Sequence, residues 1–279
     1  MSAIPSEHRV VATDLDGTLL RSDLSVSPRT REALRAVRAA GMRHLAVTGR
    51  PVADTRRLLA GLGYAGPAVC AQGAQVYDFA TERLLFSRSL DQDLARDLVR
   101  RIAERTGPLA LAAVGAGPDS DFLVTAGFGS PHQQRQWRVV DEPGLWREPV
   151  LKVMIRHPDY DDDALAALAE KVCGDALAVM HAGPRLVELL PGGTSKQTGL
   201  TFLAAELGFT GAETIAFGDM PNDLPMFDWA GHGVAMANGH PRLRARADEI
   251  TSSNDADGVA AVLERLPAVR AAIGEVPVR

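Results

Sequence analysis

Arg9-Val10-Val11-Ala12-Thr13-Asp14-Leu15-Asp16-Gly17-Thr18-Leu19-Leu20 is the stretch from which the rest of the chain is read. Val10, Val11 and Ala12 form a short apolar run of the kind a fully buried strand shows. The run stops at Asp14, and Gly17 marks a turn. Asp14 and Asp16 therefore stand at the carboxyl end of a buried strand, the edge where open α/β sheets bind ligands. Side chains alternate along a strand, so the two carboxylates share a face while Leu15 points away. Like charges held that close need a cation, a proton or a strong donor between them. A calcium loop of the EF-hand kind is excluded. Counted from Asp14, its obligatory Gly and Glu positions hold Leu19 and Ser25.

Composition narrows the class. The 279 residues suffice for one large domain or two ordinary ones, and 46% hydrophobic with 23% charged residues is the globular range. The net charge of -5, from 30 basic and 35 acidic residues, argues against a nucleic-acid or membrane surface. Cys70 and Cys173 match no metal or redox spacing and read as reduced packing residues. The N-terminus lacks the apolar region of a signal peptide, and no apolar run approaches the ~20 residues of a bilayer span. The expectation is a soluble, cytoplasmic chain.

Outward from the first strand, Ser27-Pro28 is a helix start whose apolar face is Ala33, Leu34, Val37 and Ala40. A second buried strand, His44 to Val47, ends in Thr48-Gly49-Arg50. Pro51 opens another helix, and Pro67 to Ala71 forms a third strand ending at Gln72-Gly73. This β-α-β-α-β order predicts a parallel sheet with helices on both faces. After about residue 78 strands cluster, with helices only at 91–105 and 163–172, which predicts an inserted α+β unit. Residues 127–149 show no periodicity and read as irregular. Residues 185–190 read as a return to the first pattern, followed by helix 195–207, strand 214–217, helix 221–229, strand 233–236 and a helix near 258–266. From Pro267 a loosely held tail is expected.

Three further motifs fall at the same edge as Asp14. At Thr48-Gly49-Arg50, a hydroxyl and backbone N–H groups at a strand-to-helix junction suit phosphate oxygens. In Gly192-Gly193-Thr194-Ser195-Lys196 the lysine falls in the first turn of a helix, where a cation opposes the helix dipole unless an anion is near. The segment does not meet the P-loop pattern. Gly218-Asp219-Met220-Pro221-Asn222-Asp223 gathers two carboxylates and an amide after a buried strand, and hard oxygen donors there suit Mg²⁺.

As a set, D-L-D-G-T-L at 14–19, T-G-R at 48–50, G-T-S-K at 193–196 and G-D-M-P-N-D at 218–223 resemble the haloacid dehalogenase superfamily of phosphohydrolases, and its Cof-type branch in particular. Residues 235–241 and 253–259 are similar to that branch too. One departure is Gln72-Gly73-Ala74, where relatives often carry Asn-Gly-Ala. The resemblance implies an α/β fold: a Rossmann-like parallel-sheet core, residues 1–83 and 185–279, with an inserted α+β cap at 84–184 that selects substrate. It implies that Asp14 is the nucleophile, forming an aspartyl-phosphate. Asp16 is implied as the general acid and then base, and Thr48 and Lys196 as ligands of the transferred phosphoryl oxygens. Gly49, Arg50 and Asn222 would contact substrate. Asp14, Asp16 through its backbone carbonyl, and Asp219 would hold Mg²⁺, with Asp223 and Asn222 supporting that shell or the lysine.

The expected activity is hydrolysis of a small phosphorylated metabolite, a sugar phosphate for preference, by a monomer or dimer. Two rivals are a phosphomutase, which returns the phosphoryl group to product and releases no phosphate, and a non-catalytic phosphosugar-binding regulator. Inorganic phosphate release separates the first. Wild-type activity against an Asp14→Asn control separates the second.

Overall fold

Val10–Thr13 forms β1, and all four residues are buried because helices cover both faces of its sheet. The computed structural model of the chain describes residues 8–129, 137–183 and 185–274. In chain order, α1 (Pro28–Ala39), β2 (Arg43–Ala46), α2 (Val52–Ala60), β3 (Pro67–Cys70), β4 (Gln75–Asp78) and β5 (Arg83–Ser87) follow. Next come α3 (Gln92–Thr106), β6 (Ala110–Gly115), β7 (Phe122–Val124), β8 (Arg138–Val139), β9 (Val150–Arg156), α4 (Asp162–Cys173), β10 (Leu177–Gly183) and β11 (Leu186–Pro191). The chain continues through α5 (Lys196–Leu207), β12 (Thr214–Gly218), α6 (Leu224–Trp229), β13 (His232–Ala235), α7 (Pro241–Arg244), β14 (Glu249–Ile250), α8 (Gly258–Leu263) and α9 (Pro267–Gly274).

The first sheet is parallel throughout, in the order β14-β13-β12-β1-β2. Its helix α1 starts as expected: Ser27 Oγ accepts from the Thr30 amide at 2.9 Å, and Pro28 fills a position whose N–H has no partner. The third expected strand differs from expectation. Among the described residues, β3 pairs with the parallel sheet through the single bridge of Val47 with Val69 and runs antiparallel to β4. Ala71, Gln72 and Gly73 all have positive φ, and this left-handed turn doubles the chain back as a hairpin instead of sending it into a crossover helix.

The second sheet has the order β10-β11-β9-β6-β7-β8. The strand expected to restore the first pattern, at 185–190, is β11, and it lies here, antiparallel to both β9 and β10. Its run Leu-Val-Glu-Leu-Leu-Pro would be buried in either sheet. The short connection from β10 selects hairpin pairing. One face of the sheet packs Val153, Ile155, Val187 and Leu189 with α3 and α4. The other face packs Leu151, Met154 and Leu190 with Ala71 and Ala74 of the β3–β4 turn.

Two further expectations are corrected. The tail from Pro267 is instead helix α9, which buries Val269 in the cluster that holds Val37 of α1. Its apolar residues have a face to cover, so the segment is ordered by packing. Within 127–149, read as irregular, lie β8 and a 3₁₀ segment Glu142–Trp146 that buries Leu145 and Trp146. Part of that stretch, 130–136, falls outside the described residues. Among the described residues no helix is long and apolar enough to cross a membrane.

Candidate active site

β1 and β12 run side by side with Thr13 opposite Phe217, so the residues that follow each strand emerge at the same edge. Asp14 extends the ladder by one bond, its amide donating to the Phe217 carbonyl at 3.0 Å. Lys196, the first residue of α5, points into this edge with its side chain 1% exposed. Its Nζ donates to Asp14 Oδ1 and to Asp223 Oδ1, each at 2.6 Å. The other oxygen of Asp223 accepts from the amides of Asp219 and Met220, both at 3.0 Å. Asp219 Oδ1 accepts from Thr18 Oγ1 at 2.9 Å. Ligand atoms of Asp14, Asp219 and Asp223 all lie within 4.8 Å of one another.

Three buried carboxylates face one ammonium, and burial with this excess of negative charge raises the pKa of Asp14 and Asp219. Burial pushes the Asp14 carboxyl well above its ordinary value; Lys196 opposes this, while Asp223, Asp219 and Asp16 add to it. Asp219 is pushed up to about 6 by burial and then by Asp223. Burial disfavours the Lys196 ammonium, but Asp14 and Asp223 outweigh that and hold it firmly charged. Oxygen donors in this setting fit a divalent cation, which would relieve the repulsion. Gly17 is required beside them. Its φ is +75°, and a Cβ there would sit 2.3 Å from Asp219 Oδ2.

The remaining expected residues divide. Thr48 lies just past β2, which neighbours β1, and is fully buried. Its Oγ1 accepts from the Arg50 amide at 3.1 Å. Arg50, expected against substrate, grips Asp16 with both arms of its guanidinium, Nε to Oδ2 at 2.7 Å and Nη2 to Oδ1 at 2.5 Å. Asn222 donates to Gln72 Oε1 at 3.0 Å. Gln72 in turn donates through Nε2 to Glu188 Oε2 at 3.1 Å, which supplies the contact left open by the departure at this position. Gly49 is constrained from both sides: a Cβ would meet Gln72 Nε2 at 2.5 Å, and its carbonyl accepts from Lys152 Nζ at 2.8 Å.

Lys152 and Glu188 were not among the expected site residues. The signal was present in each strand: one charged residue inside an otherwise apolar run, Val-Leu-Lys-Val-Met-Ile and Leu-Val-Glu-Leu-Leu. A charge in a buried strand persists only when it is paired. The two residues form an ion pair with side chains 2% and 6% exposed.

A parallel sheet whose strand ends converge two acidic loops and a buried lysine defines an enzyme that handles phosphoryl groups. The profile of the haloacid dehalogenase-like hydrolases matches residues 11–263, and the chain belongs to that family; it is a phosphatase. The chain is 29% identical over 290 residues to the 5-amino-6-(5-phospho-D-ribitylamino)uracil phosphatase YwtE of Bacillus subtilis, covering 92% of this chain and 98% of that protein. It is 29% identical over 263 residues to the pyridoxal phosphate phosphatase YbhA of Escherichia coli, covering 90% and 96%. A solved haloacid dehalogenase-like hydrolase from Bacteroides thetaiotaomicron is 27% identical, with a TM-score of 0.75 over 93% of this chain and 99% of that one.

Proposed function

We propose that the protein is a Mg²⁺-dependent phosphomonoesterase acting on a small phosphorylated metabolite, a sugar phosphate for preference, through an aspartyl-phosphate on Asp14. The observation that carries this is the Asp14 carboxylate held at 2.6 Å by Lys196 beside two further buried acids. Asp14 Oδ1 is bonded to the lysine, and the carboxylate attacks phosphorus while Lys196 and Thr48 take the transferred oxygens. Asp219, Asp14 and the Asp16 carbonyl would hold Mg²⁺, which supplies charge neutralisation for the approaching dianion. Asp223, with both oxygens engaged by Lys196 and the amides of Asp219 and Met220, fixes Lys196 and the Asp219 loop that would hold the ion. Asp16 protonates the leaving oxygen and then activates water, which requires Arg50 to release it when substrate enters. The Gly49 amide, which has no acceptor among the described residues, is free to donate to a phosphoryl oxygen.

The unit formed by the second sheet with α3 and α4 is assigned the role of cap, covering the site and selecting the leaving group. YwtE and YbhA are named for different phosphorylated metabolites, which supports a shared phosphoryl site beneath a variable leaving-group pocket. The test is phosphate release across a panel of phosphorylated metabolites with Mg²⁺.

Two results are expected. Asp16→Asn lowers kcat on a sugar phosphate by about 10²–10⁴-fold. Compared by kcat/KM, which reads only the steps through formation of the aspartyl-phosphate, the loss is far smaller on p-nitrophenyl phosphate, whose leaving group departs without a proton. Equal losses of kcat/KM on both substrates would remove the general acid assignment.

Mg²⁺ is also expected to raise the thermal midpoint more at pH 8 than at pH 5, read by calorimetry against a chelated control. Asp219 binds its proton more tightly in the native state than its ordinary value of 3.8 allows in the unfolded one. Its contribution to stability is full below about pH 4 and is lost as pH rises through about 6. The ion offsets that loss.

A further inference from the structure

The turn Thr48-Gly49-Arg50 has all three of its carbonyls held. Thr48 O accepts from the Gln72 amide at 3.0 Å and Arg50 O from the Ala71 amide at 2.8 Å. Gly49 O, between them, is reached from the second sheet by Lys152 Nζ at 2.8 Å. A trans peptide points its C=O and N–H in opposite directions, so fixing one end aims the other. The peptide that Lys152 holds is the one whose N–H, on Arg50, donates to Thr48 Oγ1 at 3.1 Å. With that oxygen accepting, the Thr48 hydroxyl proton is turned away from the backbone, free to donate to an incoming oxygen.

Lys152 does not stand alone. Glu188, opposite Met154 on β11, shares its sheet face and pairs with it. The second oxygen of Glu188 accepts from Gln72, whose own oxygen accepts from Asn222. The chain of contacts thus runs from Gly49 through Lys152, Glu188 and Gln72 to the loop that carries Asp219 and Asp223. Beside it, Leu151, Met154 and Leu190 share a buried cluster with Ala71 and Ala74.

We propose that Lys152, held by Glu188, is a positioning residue that orients the Thr48 hydroxyl through the Gly49–Arg50 peptide, so that seating of the second sheet on the β3–β4 turn completes the phosphoryl site. The proposal rests on the assignment of Thr48 as a phosphoryl ligand. A single substitution would strand a buried charge and confuse stability with mechanism. The informative variant removes both charges: Lys152→Met with Glu188→Leu.

The proposal expects kcat on p-nitrophenyl phosphate to fall at least tenfold while the fold, read by near-ultraviolet circular dichroism, is kept. It also expects the Arg50 amide to exchange with deuterium at least tenfold faster, with the β1 and β12 amides unchanged. Wild-type kcat and wild-type protection of Arg50 in the double variant would overturn it, leaving the pair a packing device. If that variant does not fold, Lys152→Gln with Glu188→Gln, which keeps polar side chains of similar size facing each other, is read the same way with a fivefold threshold. An inert wild-type protein would count against the phosphatase mechanism, while Arg50 exchange would still decide whether the relay exists.

Discussion

Asp14→Asn is expected to abolish turnover, by roughly 10⁴-fold or more, as loss of a covalent nucleophile does elsewhere. The amide has nearly the shape of the carboxylate, and Lys196 keeps its bond to Asp223 at 2.6 Å, so the site stays assembled. The electrostatics run in favour of binding. At ~4 Å and an effective dielectric of 20, each like-charge pair costs roughly 4 kcal/mol, and the variant removes one such carboxylate from the path of a phosphate dianion. Affinity for an unhydrolysed phosphomonoester, measured by titration calorimetry with Mg²⁺, should equal or exceed that of the wild type. The thermal midpoint should not fall, because burial and three neighbouring acids already disfavour the Asp14 charge. Phosphate release within tenfold of wild type would exclude Asp14 as nucleophile.

Lys196→Met should damage both function and stability. The ammonium is the cation that Asp14 and Asp223 touch directly, with side chains 1%, 8% and 0% exposed. Removing one partner of a buried pair costs about 3–5 kcal/mol because the other charge is left uncompensated, and here two carboxylates lose the same partner. Turnover is expected to fall as well, because the proposed mechanism has Lys196 neutralise the transferred oxygens; a loss of about 10²–10³-fold is the scale for one such group.

The pH dependence gives this prediction its sign. Without the lysine, Asp14 and Asp219 lose the charge that opposes their upward shift and hold their protons more tightly still in the native state. The deficit is largest at neutral pH and shrinks as pH falls through about 6, where Asp219 takes up its proton. Saturating Mg²⁺ should restore part of it, about 2.7 kcal/mol at a hundred times the dissociation constant. Urea titrations at pH 5 and pH 8, with and without Mg²⁺, read all three effects. A stability loss independent of pH would show that the lysine matters for packing rather than charge.

Much of the site was legible along the chain because each of its motifs is local. A buried strand that ends in a turn fixes where its next side chains emerge, and Asp14, Asp219 and the Thr48 turn each follow such a strand. Lys196 was legible for a different reason: a cation in the first turn of a helix is unfavourable unless an anion faces it, and the structure supplies Asp14 and Asp223. Arg50 was placed in the site but its partner was not. Its grip on Asp16 joins two loops 34 positions apart, and no local pattern states that pairing.

The sequence by itself therefore determined β1, β2, β12 and β13, the turns that follow them and the acidic edge, since these follow from short-range periodicity and turn chemistry; it did not place β3, which pairs antiparallel with β4. Tertiary structure alone decided which sheet takes the apolar run 186–191, that 267–274 docks on α1, and that Lys152 and Glu188 reach the Thr48 turn. An apolar strand or helix needs only some surface to bury against, and a buried charge only some partner. Which surface and which partner depends on how distant segments come together in space.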